Sequence, residues 1–458
     1  MRASGYTRGE LTRHYLIVPT LVTLVAAVIG NILGYTAMKN VVMNMYYHSY
    51  SLPPYQTLWN GDAFILTTVI PCIIITLINL FVIAKALRLP PLQFLRHDFH
   101  MKKKKKAAKL PNFRFLTRFR LRIILQNIPS YIIMVFGIMF AGLLLFFGLA
   151  LNPLLENYKT EVVNNMICDY QYVLKAPVET SNDAAEKFCM TTLYESNDEE
   201  ISAYGIEEDS EYLSKANVPK KKNEVVASQG YLEKYSLKVG DRVTLKDKYG
   251  ENKYTFKIVG SYYYPASLCV FMTNDNFNDV FDKDDGYFTG YFSNEKLKDI
   301  DDKYIATTIT QKDLTTVTDQ LDDSMGMSFT LLVGFSVLIY IILMYLLSKL
   351  VIEKNEQNIS MLKILGYSNR EASRLYNRAT TVVTIGAILV SVPLIYYVFA
   401  GLYHYFMFEM KGWLPYVVPW YVFVEMAVIG IICYAIIYFI LQKKINKIKL
   451  SQALKSDD

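Results

Sequence analysis

The sequence predicts an α-helical membrane protein with six spans and one mixed α and β domain inserted between spans three and four. Of its 458 residues, 52% are hydrophobic, a share that favours a membrane protein over an ordinary soluble one. Six apolar stretches are each long enough for a helix to cross the hydrocarbon core, which takes roughly 20 residues. One long acidic segment separates the third stretch from the fourth.

The six stretches alternate between basic and non-basic connections. They are residues 14–38, 63–87, 128–151, 328–352, 380–402 and 421–441. Basic residues crowd segments 1–13, 85–122, 349–378 and 443–455, whereas the short loops 39–62 and 402–420 hold only Lys39 and Lys411. Because cytoplasmic loops carry the excess of Lys and Arg, we expect a plasma-membrane protein with both termini in the cytoplasm and residues 152–327 outside.

The distribution of charge agrees with this orientation. Residues 152–327 hold 32 Asp and Glu against 19 Lys and Arg, a net charge of −13, which leaves +19 for the rest of the chain. The basic excess flanks membrane spans, so it does not indicate a nucleic-acid-binding protein. In the basic cytoplasmic linker 97–127, the five lysines at 102–106 are best explained as an anchor that attracts anionic lipid of the bilayer.

One short segment occurs twice, at a constant offset of 361 residues. Residues 5–15 begin Gly-Tyr-Thr-Arg-Gly-Glu, residues 366–376 begin Gly-Tyr-Ser-Asn-Arg-Glu, and each copy leads into a span. The glycine is typical of the left-handed residue that ends a helix, and the hydroxyl residue with a Glu three positions later is a capping box that starts the next one. The pattern predicts a helix, a glycine bend and a second helix entering the bilayer, which we call an elbow.

The repeat includes the basic tails that follow the second and sixth spans. At an offset of 359 residues, the matching pairs are Lys85 and Lys444, Arg88 and Lys447, Gln93 and Gln452, Leu95 and Leu454, and Arg96 and Lys455. Residues 1–96 and 328–458 therefore form two modules of elbow, two spans and tail, and the second module also has a leading span. Since the first module lacks that span, we expect the chain to be the C-terminal part of a longer protein, or to act with a separate N-terminal half.

The segment 152–327 is predicted to be an α+β domain. Strands are expected at 225–227, 242–245 and 254–264, with turns between them that contain glycine. For the acidic residues 179–215 we expect helix or loop. Apolar residues at helical spacing just before residue 328 predict a continuous rod that runs into the fourth span.

No familiar catalytic or metal-binding motif is present in the sequence. No glycine precedes a lysine, which excludes a G-x-x-x-x-G-K-[ST] nucleotide loop, and the five histidines lack zinc-site spacing. We therefore predict no catalytic residue, metal or cofactor. Glu425 is the one acid well inside a predicted span and is a functional candidate, although Trp420 nearby favours a position at the headgroups. Cys168, Cys189 and Cys269 allow one disulfide at most, or unpaired thiols.

These segments resemble a known family. Residues 353–376, with Ile-Ser-Met-Leu-Lys-Ile-Leu-Gly-Tyr-Ser at 359–368, resemble the cytoplasmic elbow of FtsX-like (MacB-type) ABC-transporter permeases. Residues 237–245, Leu-Lys-Val-Gly-Asp-Arg-Val-Thr-Leu, are similar to a strand pair in the external domain of that family. The tails that end at Arg96 and Lys455 resemble the short basic helix after its last span.

The resemblance implies a membrane permease subunit, itself not an enzyme, on whose elbows a separate ABC-type ATPase docks. ATP-driven dimerisation of that partner would move the spans and the external domain, for export or extraction of a peptide, lipid or lipoprotein. Two alternatives stay open: a non-transporting signal transmitter, in antimicrobial-peptide resistance or control of a cell-wall hydrolase, and a membrane anchor that displays a binding domain. The residues expected to couple to the ATPase are Gly5, Tyr6, Arg8, Glu10, Arg13, Glu356, Gly366, Tyr367, Arg370, Glu371 and Arg374.

Overall fold

A computed structural model describes residues 6–49, 52–87, 111 and 115–446. Within them, six helices are long and apolar enough to cross a membrane: Arg8–Asn44, Gly61–Lys85, Ile128–Asn164, Ser328–Lys354, Asn369–Glu409 and Trp420–Asn446. A sheet domain lies between the third and the fourth, so the predicted fold class is confirmed. Gly5, the lysine run at 102–106 and the ends of both basic tails lie outside the described residues.

The chain divides into two compact units, residues 1–114 and 115–458. The first unit is a helical hairpin made of α1 (Arg8–Leu33), a π-helical turn (Gly34–Met38), α2 (Lys39–Ser49), α3 (Gly61–Phe64), a second π-helical turn (Ile65–Val69) and α4 (Ile70–Ala86). A hydrogen bond of 2.8 Å from Asn31 Nδ2 to Thr68 Oγ1 joins its two arms. Such polar contacts matter in lipid, where apolar surfaces gain little by leaving an equally apolar solvent.

The second unit combines four spanning helices with the sheet domain. Its helices are α5 (Phe115–Gln126), α6 (Ile128–Asn164), α7 (Gln229–Tyr235), α8 (Asn274–Phe281), α9 (Gln311–Lys354), α10 (Glu356–Ile364), α11 (Asn369–Glu409) and α12 (Trp420–Asn446). The bundle of α6, α9, α11 and α12 buries Met134, Tyr340 and Ile388. On its outside, Phe136 and Ile342 are more than half exposed, as expected of side chains that face lipid.

Two helices extend well beyond their predicted spans. α6 ends at Asn164 rather than near 151, and α9 begins at Gln311 rather than near 328. In the extended part, Lys159 Nζ lies 2.6 Å from Asp319 Oδ1, which links the two helices. Hydropathy ends a span at the first charged residues, whereas both helices continue past them. The predicted rod into the fourth span is confirmed.

The sheet domain contains nine strands. They are β1 (Tyr170–Leu174), β2 (Glu186–Tyr194), β3 (Glu200–Ile206), β4 (Glu224–Ser228), β5 (Arg242–Lys246), β6 (Lys253–Tyr262), β7 (Cys269–Thr273), β8 (Gly290–Ser293) and β9 (Ile305–Thr310). Their order is β3-β7-β4-β6-β5-β2-β8-β1-β9, and a further pairing of β2 with β3 closes the first six into a ring. β3–β7 and β4–β6 are parallel pairs. The three strands predicted from sequence correspond to β4, β5 and β6.

The expectation of helix or loop for residues 179–215 is wrong. β2 and β3 lie there and pair antiparallel from Cys189↔Gly205 to Tyr194↔Glu200. Their apolar residues, such as Phe188 and Ile201, are buried in the domain. Most of the acidic residues in the segment fall instead before β2, in the turn 195–199 or after β3, so an average over the segment hides two strands.

The domain is joined covalently to α6 and α9 through neighbouring strands. β1 follows α6, β9 immediately precedes α9, and the two strands pair antiparallel. Thr310 caps α9, with its amide and its hydroxyl donating to Asp313 Oδ2 at 2.9 and 2.6 Å. Both helices therefore enter the domain at one end of the sheet.

The five cysteines are all free thiols. Cys168, Cys189 and Cys269 are buried in the sheet domain, where burial raises the pKa of each thiol to about 12. At neutral pH such thiols are protonated and poorly reactive. They act as small apolar side chains, which was one of the two alternatives left open by the sequence.

Candidate functional site

The second elbow contains a sharp bend between α10 and α11. At its apex Gly366 has φ +93°, a left-handed conformation that side chains of L-residues rarely adopt. The Gly366 amide donates to Lys363 O and the Tyr367 amide donates to Leu362 O, both at 3.2 Å. This pair of bonds is the Schellman motif, which satisfies the last carbonyls of a helix and turns the chain away.

Both elbows start the next helix with a capping box of the same geometry. Ser368 Oγ accepts from the Glu371 amide at 3.3 Å, and Glu371 Oε2 accepts from the Ser368 amide and hydroxyl at 2.9 and 2.8 Å. Between Thr7 and Glu10 the corresponding distances are 3.3, 2.8 and 2.9 Å. The repeat in the sequence is therefore also a repeat in local structure.

We expect Ser368→Ala to destabilise the start of α11, by about 1 kcal/mol, because the Glu371 amide then loses its acceptor. Amide hydrogen exchange of the first turn, measured on the full chain by mass spectrometry, should become roughly fivefold faster. Thr7→Ala should have the same effect on α1 and none on α11. Unchanged exchange in both variants would contradict the capping role.

A frame of polar contacts holds the bend. The chain turns at Asn127 between α5 and α6 and at Asn355 between α9 and α10, and their buried side-chain amides donate to each other at 3.4 and 3.3 Å. Lys363 Nζ donates to Ile445 O of α12 at 3.0 Å, and partial burial lowers the pKa of this lysine. Lys444 Nζ lies 2.6 Å from Glu353 Oε1. These contacts tie α10 to the ends of α6, α9 and α12.

The outer face of α10 is apolar and exposed. Met361 and Ile364 are each half exposed, and Leu365 is 70% exposed. Beside them a cleft of about 260 Å³ opens between α5, α10 and α11, and its walls include Phe119 and Tyr376. Exposed apolar surface with a polar rim is typical of a site where another protein binds.

The predicted coupling residues lie mainly on the surface of the two elbows. Tyr6, Arg8, Glu10 and Arg13 of the first, and Tyr367, Arg370, Glu371 and Arg374 of the second, are exposed, and Glu356 is half-buried at the start of α10. Glu10 and Glu371 are already engaged in the capping boxes. The four arginines take part in none of the ion pairs between described residues, which leaves their charges available to acidic groups of a partner.

Glu425 lies in the second turn of α12, on its exposed side. Its neighbours Val422 and Met426 take the buried side of the helix. The carboxylate therefore does not point into the bundle, where a proton or ion pathway would need it. Its position near the helix end favours the headgroup interpretation.

Sequence reasoning missed two groups of residues. Arg120 of α5 lies near Arg374 and Arg378, and desolvation followed by repulsion from these two cations lowers the pKa of Arg120. Lys234 of α7 and Glu199 form a buried pair that contacts the loop after α11. The signal in the sequence was weak, because a single Lys or Glu in an acidic, lysine-rich domain does not stand out.

Comparison with known protein families finds one match, over two segments of the chain. The model of the FtsX-like permease C-terminal domain matches residues 1–91 and 330–450. The two matched segments contain both elbows and leave out the sheet domain. No curated protein matches the chain. The matched segments are those that carry the repeat and the elbow geometry, and within them the chain matches the FtsX-like permease family.

Proposed function

We propose that the chain is the permease subunit of an ABC transporter, and that a separate ATPase subunit docks on its elbows and moves the sheet domain. The exposed apolar face of α10 carries this proposal, because Met361, Ile364 and Leu365 lie beside the Gly366 bend at the start of α11. A partner that binds there acts directly on the end of a spanning helix. The absence of a P-loop from the sequence fits a chain that receives mechanical work from a partner.

The long helices supply a route for the motion. α11 is one helix of 41 residues, which is about 60 Å at 1.5 Å per residue. It starts at the capping box of the elbow and ends next to the sheet domain. β9 leads directly into α9, and α6 is joined to β1 by the five residues 165–169. Displacement at one end of these helices therefore reaches the domain through short connections, and through none in the case of α9.

We propose that the substrate is a peptide, lipid or lipoprotein handled by the sheet domain outside the hydrocarbon core. The interior of the bundle in the second unit supports this, since Met134, Leu145 and Ile388 fill it with apolar side chains. Buried hydroxyls among the described residues of this bundle, such as those of Ser336 and Ser391, donate to carbonyls of their own helices. A signal transmitter would use the same motion of the sheet domain but would transport no molecule.

The partner is tested by purifying the full chain from its native membrane with an affinity tag and identifying what copurifies. We expect an ABC-type ATPase in stoichiometric amount and ATP hydrolysis by the complex. Recovery of the chain with no ATPase, under conditions that retain other membrane complexes, would instead favour the membrane anchor.

The orientation is tested with single-cysteine variants and a membrane-impermeant maleimide on intact cells. Tyr249, which is 83% exposed in the sheet domain, should react as Tyr249→Cys without permeabilisation. Leu365→Cys should react only after permeabilisation, because we place the elbows in the cytoplasm. The reverse pattern would invert the protein in the membrane and remove the docking proposal.

A further inference from the structure

The sheet domain binds the loop that connects α11 to α12, and we call this contact the clamp. Residues 410–413, which we call the strap, lie against α7 and the β2–β3 turn. Lys234 Nζ donates to Met410 O at 2.6 Å and to Gly412 O at 3.0 Å, and it lies 3.1 Å from Glu199 Oε2. Glu199 Oε1 accepts from the Gly412 amide at 2.6 Å. All three N–H groups of the ammonium have an acceptor, and both partners hold the same strap.

The clamp is buried and lined with aromatic rings. The side chains of Lys234 and Glu199 are 0% and 7% exposed. Trp413 packs on α7 at Gly230 and donates from Nε1 to Glu233 Oε2 at 3.0 Å. The strap turns at Gly412, whose φ of +79° favours glycine. Removing either member of a buried ion pair leaves the other charge buried and uncompensated, so a single substitution here should disrupt the contact strongly.

The strap attaches the domain at a second place. α6 and α9 connect to β1 and β9 at one end of the sheet, whereas α7 follows β4, within the closed ring of strands. A domain attached only through α6 and α9 would move as one piece with those helices. A domain that is also attached through the strap tilts when α11 moves relative to α6 and α9.

We propose that the strap is a transmission joint, permanently closed, through which movement of α11 relative to α6 and α9 tilts the sheet domain. Lys234 and Glu199 are positioning residues of this joint. The inference rests on the proposed function, since it assigns the motion to the helix that begins at the docking elbow. It adds that the loop between the last two spans, rather than the covalent connections alone, carries the motion to the domain.

The joint is tested on the complex of the full chain with its ATPase in lipid nanodiscs. Spin labels at Lys248→Cys on the sheet domain and Leu116→Cys on α5 report their separation by pulsed electron paramagnetic resonance. We expect ATP and vanadate to shift this distance in the parent chain. Lys234→Met should lose most of the shift while ATP hydrolysis continues. The matched control Lys220→Met, which removes an exposed ion pair with Glu208, should keep it.

A covalent replacement of the joint separates coupling from folding. A Cβ at Gly230 would lie 3.7 Å from Trp413 Cβ, within the range for a disulfide of about 3.5–4.5 Å. Gly230→Cys with Trp413→Cys should therefore crosslink the strap and restore the shift to Lys234→Met, whereas Gly230→Cys alone should not restore it. If Lys234→Met does not fold, Gly412→Ala, which strains the strap outside the domain core, takes its place.

The outcomes separate the two proposals. A parent chain without any nucleotide-dependent shift contradicts the proposed function and this inference with it. A shift that survives intact in Lys234→Met overturns the joint alone. A shift that disappears when the disulfide forms in an otherwise unchanged chain also overturns it, because the strap would then have to open.

Discussion

Replacing Gly366 by valine should uncouple ATP hydrolysis by the partner from movement of the sheet domain. Gly366 has φ +93°, and its amide closes the Schellman motif at the end of α10. A β-branched residue held in that conformation costs on the order of 1–3 kcal/mol. Because about 1.4 kcal/mol corresponds to a factor of ten in an equilibrium, the native bend should lose roughly tenfold or more in population relative to competing conformations.

The measurement is substrate-stimulated ATPase activity of the reconstituted complex, together with the label distance described above. Gly386→Val is the matched control, because Gly386 lies within α11 and an added Cβ there meets no atom within 4 Å. Gly366→Asn should retain more coupling than valine, since asparagine tolerates the left-handed conformation better. If the Gly366→Val complex shows the same stimulated ATPase activity and the same change in label distance as the parent complex, the bend has no part in transmission.

The elbow and the spans were accessible from sequence because their determinants are local. The bend needs Gly366, and the cap needs Ser368 and Glu371 three positions apart, so one window of sequence contains all of it. Spans follow from length and hydropathy in the same way. The occurrence of the elbow twice strengthened the prediction, since two matching windows rarely arise beside two membrane entries by chance.

The strap was not accessible from sequence because its contacts are long-range. Glu199 and Gly412 are 213 positions apart, and Lys234 and Gly412 are 178 apart. Their meeting depends on the closure of the sheet by β2 and β3, in a segment for which composition indicated helix or loop. The capping boxes of the elbows, in contrast, were predicted from the sequence. Glu10 and Glu371 serve their own helices as caps, which leaves the arginines and the apolar face of α10 to meet a partner.

That apolar face leads to the second large effect: Leu365→Asp should abolish stable binding of the ATPase. Leu365 is 70% exposed, and its amide donates to Met361 O, a bond that aspartate keeps, so the fold of α10 should not change. A central apolar contact of an interface contributes about 2 kcal/mol or more, which is roughly a thirtyfold loss of affinity. Burying an unpaired carboxylate should increase that loss.

Binding is measured by titrating the purified ATPase onto the full chain in nanodiscs. Val239→Asp is the matched control, because Val239 is an apolar residue 56% exposed in the sheet domain, far along the chain from α10. Leu365→Met should bind like the parent chain. The arginines are expected to add an electrostatic contribution to the binding free energy. Arg370→Ala and Arg374→Ala should therefore weaken binding more at low salt than at high salt, where exposed charges are screened. Full affinity in both Leu365→Asp and Ile364→Asp would place the docking surface elsewhere, and the route from the elbow through α11 to the strap would then lack its source of motion.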